Sequence, residues 1–233
     1  MRIDDLPKLI QGASIQRQRA DDLVGSSLRY FPAGATIFEP GHDDSSVLFV
    51  NSGWAICARI LQNGTRIVTE FALRGDLIST TTCDLAQETV QAVSPLSLYE
   101  LPGRLLARGL DLSPQLSKII VTEMIKRQAR MSERIANIGR RDALERTGHL
   151  LLELAIRASE NTRRDFDGFV CPLKQSDIGD AVGLSTVHIN RVLKDMRMSG
   201  LVSFRNGIVE FLNRRKLMDL VDFDPSYLAT HIG

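Results

Sequence analysis

The segment from Gln175 to Arg197 constrains the chain most, because its apolar residues fit two short helices joined by a tight turn. In the first half Ile178, Ala181 and Val182 are spaced i, i+3, i+4, which places them on one helical stripe. The second half repeats the spacing with Ile189, Val192, Leu193 and Met196. Each half therefore predicts a helix with one buried side.

Gly183 and Ser185 supply the turn between these helices. A residue without a β-carbon takes positive φ at little cost where the chain reverses, and a serine hydroxyl caps the helix that follows. Two such helices across a tight turn form a helix-turn-helix, a motif that reads DNA.

The outer face of the second helix is polar and basic. Successive helical residues turn by about 100°, so this face carries Val187, Arg191 and Lys194, with His188 and Asn190 on its flanks. Arg191 can donate two hydrogen bonds to the O6 and N7 of a guanine, and the amide of Asn190 suits adenine or a phosphate. The alternative interpretation is an ordinary solvated helix face.

A β-hairpin is predicted directly after this helix, because Asn206-Gly207 favours the positive φ angles of a type I′ turn. Counting outward from the turn pairs apolar residues on one face, with Phe204 opposite Val209 and Val202 opposite Phe211. A hairpin in this place is the wing of a winged helix.

Basic residues around the wing are candidate phosphate contacts. Arg205 lies at its tip, and Arg214, Arg215 and Lys216 follow it; for these last three, a helix C-terminus or solvent is the alternative. The residues predicted to contact DNA are Ser185, Thr186, Val187, His188, Asn190, Arg191, Lys194 and Arg205.

The first half of the chain, from Leu28 to about Leu101, consists of short β-rich pieces separated by glycines. Asn63-Gly64 is a second hairpin signal. This pattern predicts an antiparallel β-roll or barrel, preceded by one or two helices within Pro7–Ser26.

A long helix is predicted from Ser113 to Ile138, which contains no glycine and has its single proline in the first turn. An apolar stripe along it predicts pairing of two copies through Leu116, Ile120, Met124, Met131 and Ile135. The alternative is a helix packed on its own domain, and Val121 and Ile125 on a second stripe are expected to make some of that internal contact.

Length and composition are compatible with two domains, of which the second binds nucleic acid. Residues 1 to 112 hold 10 basic and 13 acidic side chains, whereas residues 113 to 233 hold 19 and 15. The helix-turn-helix lies in the basic half, although attraction to phosphate has to come from local clusters. Neither a signal peptide nor a membrane-spanning stretch is evident, so we expect a cytoplasmic protein.

In the order of its parts the chain resembles the CRP/FNR transcription regulators, and most closely their alphaproteobacterial members. The matching motifs are FPAGATIFEPG at Phe31–Gly41, VLFVNSGWA at Val47–Ala55, RGDLI at Arg74–Ile78, NIGRRDALERTGHLLLEL at Asn137–Leu154 and GLSTVHINRVLK at Gly183–Lys194. The resemblance covers nearly the whole chain.

This resemblance implies an α+β protein in three parts. They are a β-roll sensor like a cyclic-nucleotide-binding domain (a double-stranded β-helix) over 1–112, a dimerisation helix over 113–140 and a winged helix-turn-helix over 141–233. The implied function is that of a homodimeric regulator that binds a palindromic DNA site, responds to an unidentified signal at the β-roll and contacts RNA polymerase.

Two motifs depart from the family pattern. Arg191 matches the arginine that members use on a guanine, but Val187 stands where many place a glutamate that reads cytosine; valine can instead contact a thymine methyl. In the sensor no basic residue lies between Arg74 and Arg104. Cyclic AMP is therefore not expected, because a buried phosphate needs a cationic partner.

The candidate ligand-binding residues of the sensor are Gly75, Asp76, Leu77, Thr80, Thr81 and Thr82. The threonine run can line a pocket for a smaller or neutral ligand, or it can be a surface loop. Sequence alone leaves both interpretations open.

An iron–sulfur cluster is not expected, because it needs about four thiolates and the chain has only Cys57, Cys83 and Cys171. Cys57 is predicted in the core, and Cys171 is a candidate redox switch if its thiol is exposed. Histidine spacing indicates no metal site, although haem ligation by His42 or His149 stays open.

Two other classes of function compete with DNA binding. For an enzyme, no carboxylate pair or glycine-rich phosphate loop stands out, and the serine of GLSTV is explained as a helix cap. A ligand-binding module that acts through protein contacts would leave the winged helix without a role. DNA binding accounts for more of the chain than either.

Overall fold

The computed structural model describes residues 27–39, 46–79, 88–102, 114–158 and 167–229. The chain divides into two compact units, of which the first comprises Met1–Arg59 and Phe71–Ile125 and the second comprises Ile60–Glu70 and Lys126–Gly233. The helices predicted within Pro7–Ser26 lie outside the described residues. The division into 1–112, 113–140 and 141–233 stays a prediction.

Eight strands form the predicted β-roll. They are β1 (Ser27–Phe31), β2 (Thr36–Phe38), β3 (Ser46–Ser52), β4 (Ala55–Ile60), β5 (Arg66–Ala72), β6 (Leu77–Ser79), β7 (Thr89–Ala92) and β8 (Leu96–Pro102). Antiparallel pairing gives two four-stranded sheets with the orders β1-β8-β3-β6 and β2-β7-β4-β5. The prediction of an antiparallel roll is confirmed.

The core of the roll lies between these two sheets. Side chains alternate along a strand, so Leu48 and Val50 of β3 point to one side and Val47 and Phe49 to the other. The first pair joins a buried cluster with members from both sheets: Phe38, Ala55, Cys57, Ala72, Ile78, Val90, Ala92, Leu96 and Leu98. Cys57 is a core residue, as predicted.

The predicted long helix is α1 (Pro114–Arg140), and its first turns pack on the other side of β3. Leu116 and Ile120 are 1% and 5% exposed. They belong to a buried cluster with Val47, Phe49, Leu77 and Leu101. The prediction that these two residues contact a second copy is therefore wrong, because their side chains are enclosed within their own unit.

The prediction that Val121 and Ile125 pack within their own domain is also wrong. Val121 and Ile125 are 50% and 45% exposed. The exposed large apolar residues of α1 are Val121, Met124, Ile125, Met131, Ile135 and Ile138. All of them except Ile125, together with the exposed Gln128, follow alternating steps of three and four residues. This repeat is that of a coiled-coil seam. Of the five residues predicted for dimerisation, Met124, Met131 and Ile135 lie on it.

The second unit contains the remaining elements. They are α2 (Ala143–Arg157), β9 (Gly168–Val170), α3 (Gln175–Val182), α4 (Thr186–Met198), β10 (Val202–Arg205), β11 (Ile208–Phe211), α5 (Arg214–Leu220) and a 3₁₀-helix (Pro225–Leu228). Asp142 begins α2 with a capping box, because its carboxylate accepts the N–H groups of Leu144 and Glu145 while Glu145 accepts that of Asp142.

A buried carboxylate joins three elements of this unit. Glu70 of β5 is 2% exposed. Its Oε2 accepts a hydrogen bond from Nε of Arg130 on α1 at 3.0 Å, and its Oε1 lies 3.3 Å from Nη2 of Arg157 on α2. Burial by itself raises the pKa of Glu70, but the guanidinium groups of Arg157 and Arg130 outweigh burial and hold the pKa at about 2. The carboxylate is therefore ionised.

We predict that Glu70→Gln lowers the free energy of unfolding by about 3–5 kcal/mol, because the buried guanidinium groups of Arg130 and Arg157 both lose the negative charge of Glu70. The contribution of Glu70 is complete above its unfolded pKa of 4.5 and is lost as the pH falls toward a folded pKa of about 2. Urea denaturation followed by circular dichroism measures both effects. The matched control is Glu100→Gln, since Glu100 pairs with the half-exposed Arg29 at 2.9 Å and its loss should cost no more than about 1 kcal/mol. Equal losses would contradict the importance of burial.

Candidate DNA-binding surface

The turn of the helix-turn-helix has the predicted geometry. Gly183 ends α3 in the left-handed region with φ of 67°, and its N–H donates to the carbonyl of Gly179. The hydroxyl of Ser185 accepts the N–H of His188 at 3.3 Å and caps α4. Gly183 therefore provides the predicted turn, and Ser185 provides the predicted helix cap.

Helix α4 buries one side and exposes the other. Ile189, Val192, Leu193 and Met196 are buried, as their spacing predicted. The opposite side exposes Thr186, Val187, Asn190, Arg191 and Lys194, while His188 is half-buried. Val187 is 82% exposed, so an apolar side chain stands in water at the centre of the predicted reading face.

Close packing fixes α4 against α3. A methyl group at Gly179 of α3 would lie 2.8 Å from the carbonyl oxygen of Leu184 and 3.2 Å from Cγ2 of Ile189. Only a residue without a side chain allows this approach. A movement of α3 is therefore transmitted to α4.

The wing has the predicted register. Val202 pairs with Phe211 and Phe204 with Val209, and Asn206 and Gly207 have φ angles of 51° and 72°. Arg205 is exposed where β10 meets the turn. One strand was missed: β9 pairs with β11 on its other edge. With three residues, it is too short to give a period in the sequence.

The basic residues after the wing begin a helix instead of ending one. Asn213 caps α5, and Arg214, Arg215 and Lys216 form its first turn. Arg214 lies 2.7 Å from Asp167 and stacks on the ring of Phe211, with 4.3 Å between its guanidinium carbon and the ring centroid. The sequence alternative of a helix C-terminus is wrong, and Arg214 is already engaged within the protein.

A cleft of about 510 Å³ opens beside the reading face. It lies between the N-terminus of α2 and α4, and it is lined by Asp142, Ala143, Leu144, His188, Arg191, Val192 and Asp195. The cleft places the capped start of α2 next to Arg191.

Comparison with known proteins agrees with this geometry. A model of the Crp-like helix-turn-helix domain matches residues 145–220, and a model of the cyclic nucleotide-binding domain matches residues 28–111. The chain belongs to the CRP/FNR family of DNA-binding transcription regulators.

Relatives and solved structures extend the comparison along the chain. The chain is 27% identical over 191 residues to the fumarate and nitrate reduction regulatory protein of Vibrio cholerae, covering 80% of this chain and 75% of the relative. It is 24% identical over 192 residues to the nitrogen fixation regulation protein FixK of Azorhizobium caulinodans, covering 82% and 77%. The structure of FixK2 from Bradyrhizobium japonicum matches with a TM-score of 0.73 at 19% identity, over 84% of this chain and 96% of FixK2. The last match shows the shared fold.

The predicted sensor residues of this CRP/FNR regulator are described only in part. Asp76 is buried, and its carboxylate accepts the N–H of Leu73 at 2.7 Å, so it holds the turn that includes Gly75. Leu77 belongs to the cluster beneath α1. Thr80, Thr81 and Thr82 lie outside the described residues.

The thiol and imidazole candidates of the regulator are buried where the structure describes them. Burial raises the pKa of Cys171 to about 12, so its thiol is not the exposed redox switch that the sequence left open. His149 is 1% exposed, with Nε2 3.1 Å from Glu133 and Nδ1 3.1 Å from Asn137. Burial, assisted by Arg141, lowers the pKa of His149 to about 4. Both ring nitrogens are engaged within the protein.

Cys83, His42 and His231 lie outside the described residues. Within the part of the chain that the structure describes, no three His, Cys, Asp or Glu side chains come together in a way that could hold a metal ion. Nor does any helix there combine the length and apolar character of a membrane span.

We predict that Gly179→Ala destabilises the DNA-binding half by about 1–3 kcal/mol, because the added methyl overpacks the contact between α3 and α4. Differential scanning calorimetry measures the loss. The control is Gly139→Ala, since a methyl group there meets nothing within 4 Å and alanine favours a helix by up to about 1 kcal/mol. A stabilising effect at both positions would contradict the tight contact.

Proposed function

We propose that this protein is a homodimeric transcription regulator that reads an inverted-repeat DNA site with the exposed face of α4 from each copy. The observation that carries the proposal is the polar and basic face of α4 beside an exposed wing. A helix fits the major groove, which is about 12 Å wide. Two such helices related by a two-fold axis read half-sites about 34 Å apart. DNA binding, and not catalysis, is the activity that these residues support.

Each exposed residue of the face has a proposed role. Arg191 donates two hydrogen bonds to a guanine, Asn190 contacts adenine or a phosphate, and Val187 contacts a thymine methyl. Phosphate contacts come from side chains around these three: Ser185, Thr186, His188, Lys194 and Arg205. The half-site therefore includes a guanine next to a base pair that is not read by a carboxylate.

The exposed stripe on α1 is the proposed dimer seam. It consists of Val121, Met124, Gln128, Met131, Ile135 and Ile138. Strict steps of three and four residues keep these positions on one side of a coiled coil. A stripe of this length that faces water favours association, because pairing removes its apolar area from solvent.

We predict that Ile135→Glu raises the dimer dissociation constant by at least about a hundredfold, because each copy would bury an unpaired charge at the seam. Sedimentation equilibrium measures this constant. Ala136→Glu is the control, since it adds the same charge to the next residue of α1, which is exposed and off the seam. Equal effects of the two substitutions would place the interface elsewhere.

The signal at the β-roll is proposed to be a ligand without a strong negative charge, held near Gly75, Asp76, Leu77 and the segment Thr80–Thr82. The support is the absence of basic residues between Arg74 and Arg104 in the sequence. RNA polymerase is the proposed protein partner, and the cytoplasm is the proposed location, because a bacterial regulator acts where DNA is transcribed.

The test of DNA reading begins with a selection of duplexes from a random-sequence library by the purified protein. We predict that Arg191→Ala weakens binding to the selected site by about 1–3 kcal/mol and relaxes the preference at one base pair. Arg191→Lys is the matched variant: it keeps the charge but loses the bidentate geometry, so it should relax the same base pair while retaining the salt dependence. Fluorescence anisotropy with single-base variants of the site measures both properties. A uniform loss on all sequences would make Arg191 a phosphate contact.

A further inference from the structure

The hairpin between β4 and β5 belongs to the second unit, although its strands are part of the β-roll by sequence. Ile60–Glu70 is grouped with the helices that carry the DNA-binding face. Strand β5 therefore has two parts. Its end at Phe71 and Ala72 belongs to the first unit, where Ala72 is a core residue, and its start at Arg66 belongs to the second.

The inner part of this hairpin is held by buried contacts. Glu70 pairs with Arg130 and Arg157. The carbonyl of Thr69 accepts a hydrogen bond from Nη1 of Arg134 at 3.3 Å. These contacts fix β5 to α1 and α2, because separating them would break buried ion pairs.

The outer part reaches the helix-turn-helix itself. Nη1 of Arg66 donates to Oδ1 of Asp177 at 2.7 Å and to Oδ2 of Asp180 at 3.2 Å. The two carboxylates are three residues apart on α3 and therefore share a face. The side chains of Arg66, Asp177 and Asp180 are 30%, 10% and 27% exposed, so this contact is more accessible than that of Glu70.

Asp177 has a second role at the start of α3. Its Oδ2 accepts the N–H of Lys174 at 2.8 Å. The carboxylate that begins the helix is thus the one that Arg66 holds. Gly179, one half-turn further on, packs against Leu184 and Ile189 of the turn and α4. A continuous series of close contacts therefore leads from Arg66 to the reading face.

We propose that Arg66 is a positioning residue for DNA recognition: its ion pairs with Asp177 and Asp180 hold α3, and through it α4, in the orientation that binds DNA. The inference rests on the proposed DNA binding and adds a residue that touches no DNA.

Reversing the charges of the ion pair distinguishes this positioning role from a general effect of net charge on DNA binding. If only net charge mattered, Arg66→Glu would weaken DNA binding and Asp180→Arg would strengthen it. If the ion pair positions α3, each single substitution weakens binding, because each brings like charges together. The double variant Arg66→Glu/Asp180→Arg restores an ion pair of reversed direction at position 180, and the arginine introduced there lies on the helix face of Asp177 and offsets the repulsion between Asp177 and the introduced glutamate. The double variant keeps the net charge of the natural chain.

We predict that each single variant binds the selected duplex about five- to fiftyfold more weakly, and that the double variant binds at least about threefold more tightly than Arg66→Glu. Fluorescence anisotropy measures affinity, and hydrogen exchange of residues 175–182 measures the mobility of α3. Melting temperatures should stay close to that of the natural protein, because partly exposed ion pairs add little to global stability. The neutral variant Arg66→Gln removes the ion pairs without adding repulsion. Its affinity for the duplex should lie between those of the natural protein and Arg66→Glu.

The outcomes distinguish the two proposals. Tighter binding by Asp180→Arg, or no recovery in the double variant, would overturn the positioning role of Arg66 while leaving DNA reading intact. Unchanged exchange of residues 175–182 in Arg66→Gln would also overturn it. Failure of the natural protein to select any duplex would instead overturn the proposed function, before any variant is compared.

Discussion

Burial of the Glu70 carboxylate is the constraint on which the second unit depends. An ion that is 2% exposed is tolerated only with close partners of opposite charge, and here they come from α1 and α2. Because Arg130 and Arg157 are themselves 4% and 8% exposed, none of the three can move into solvent alone. One strand and two helices are therefore fixed to each other. Helix α5 packs on this frame so closely that a methyl group at Gly148 of α2 would lie 2.8 Å from Cδ1 of Leu217.

The contacts of the hairpin differ in how easily they can change. Breaking the ion pairs of Glu70 separates buried charges and costs several kcal/mol. Breaking a partly exposed ion pair such as that of Arg66 costs no more than about 1 kcal/mol. Changes of that smaller size suffice to alter the affinity of a ligand several-fold. The ion pairs of Arg66 can therefore change without disturbing the frame around Glu70.

Local sequence patterns predict most of the DNA-reading half. They do not predict contacts between residues that are far apart in the sequence. Asn206-Gly207 fixes the register of the wing because the turn type determines which residues pair, and the spacing around Ile189 fixes which side of α4 is buried. Nothing in the neighbourhood of Glu70 or Arg66 indicates their partners, which are 60 to 114 residues away. Charged side chains are ordinarily placed at the surface, so the residue type gives no sign that Arg130 is buried.

The error on α1 has a physical cause that bears on signalling. An α-helix has 3.6 residues per turn, so a repeat of 3.5 residues shifts gradually around its surface. In the sequence, Leu116 and Ile120 therefore look like part of the same apolar stripe as the seam, although the seam begins one residue later at Val121. These neighbours point about 100° apart: Ile120 is 5% exposed beneath the roll, and Val121 is 50% exposed on the seam. Because the same turn of helix serves both surfaces, a rotation that loosens Ile120 from its cluster also moves Val121 on the seam.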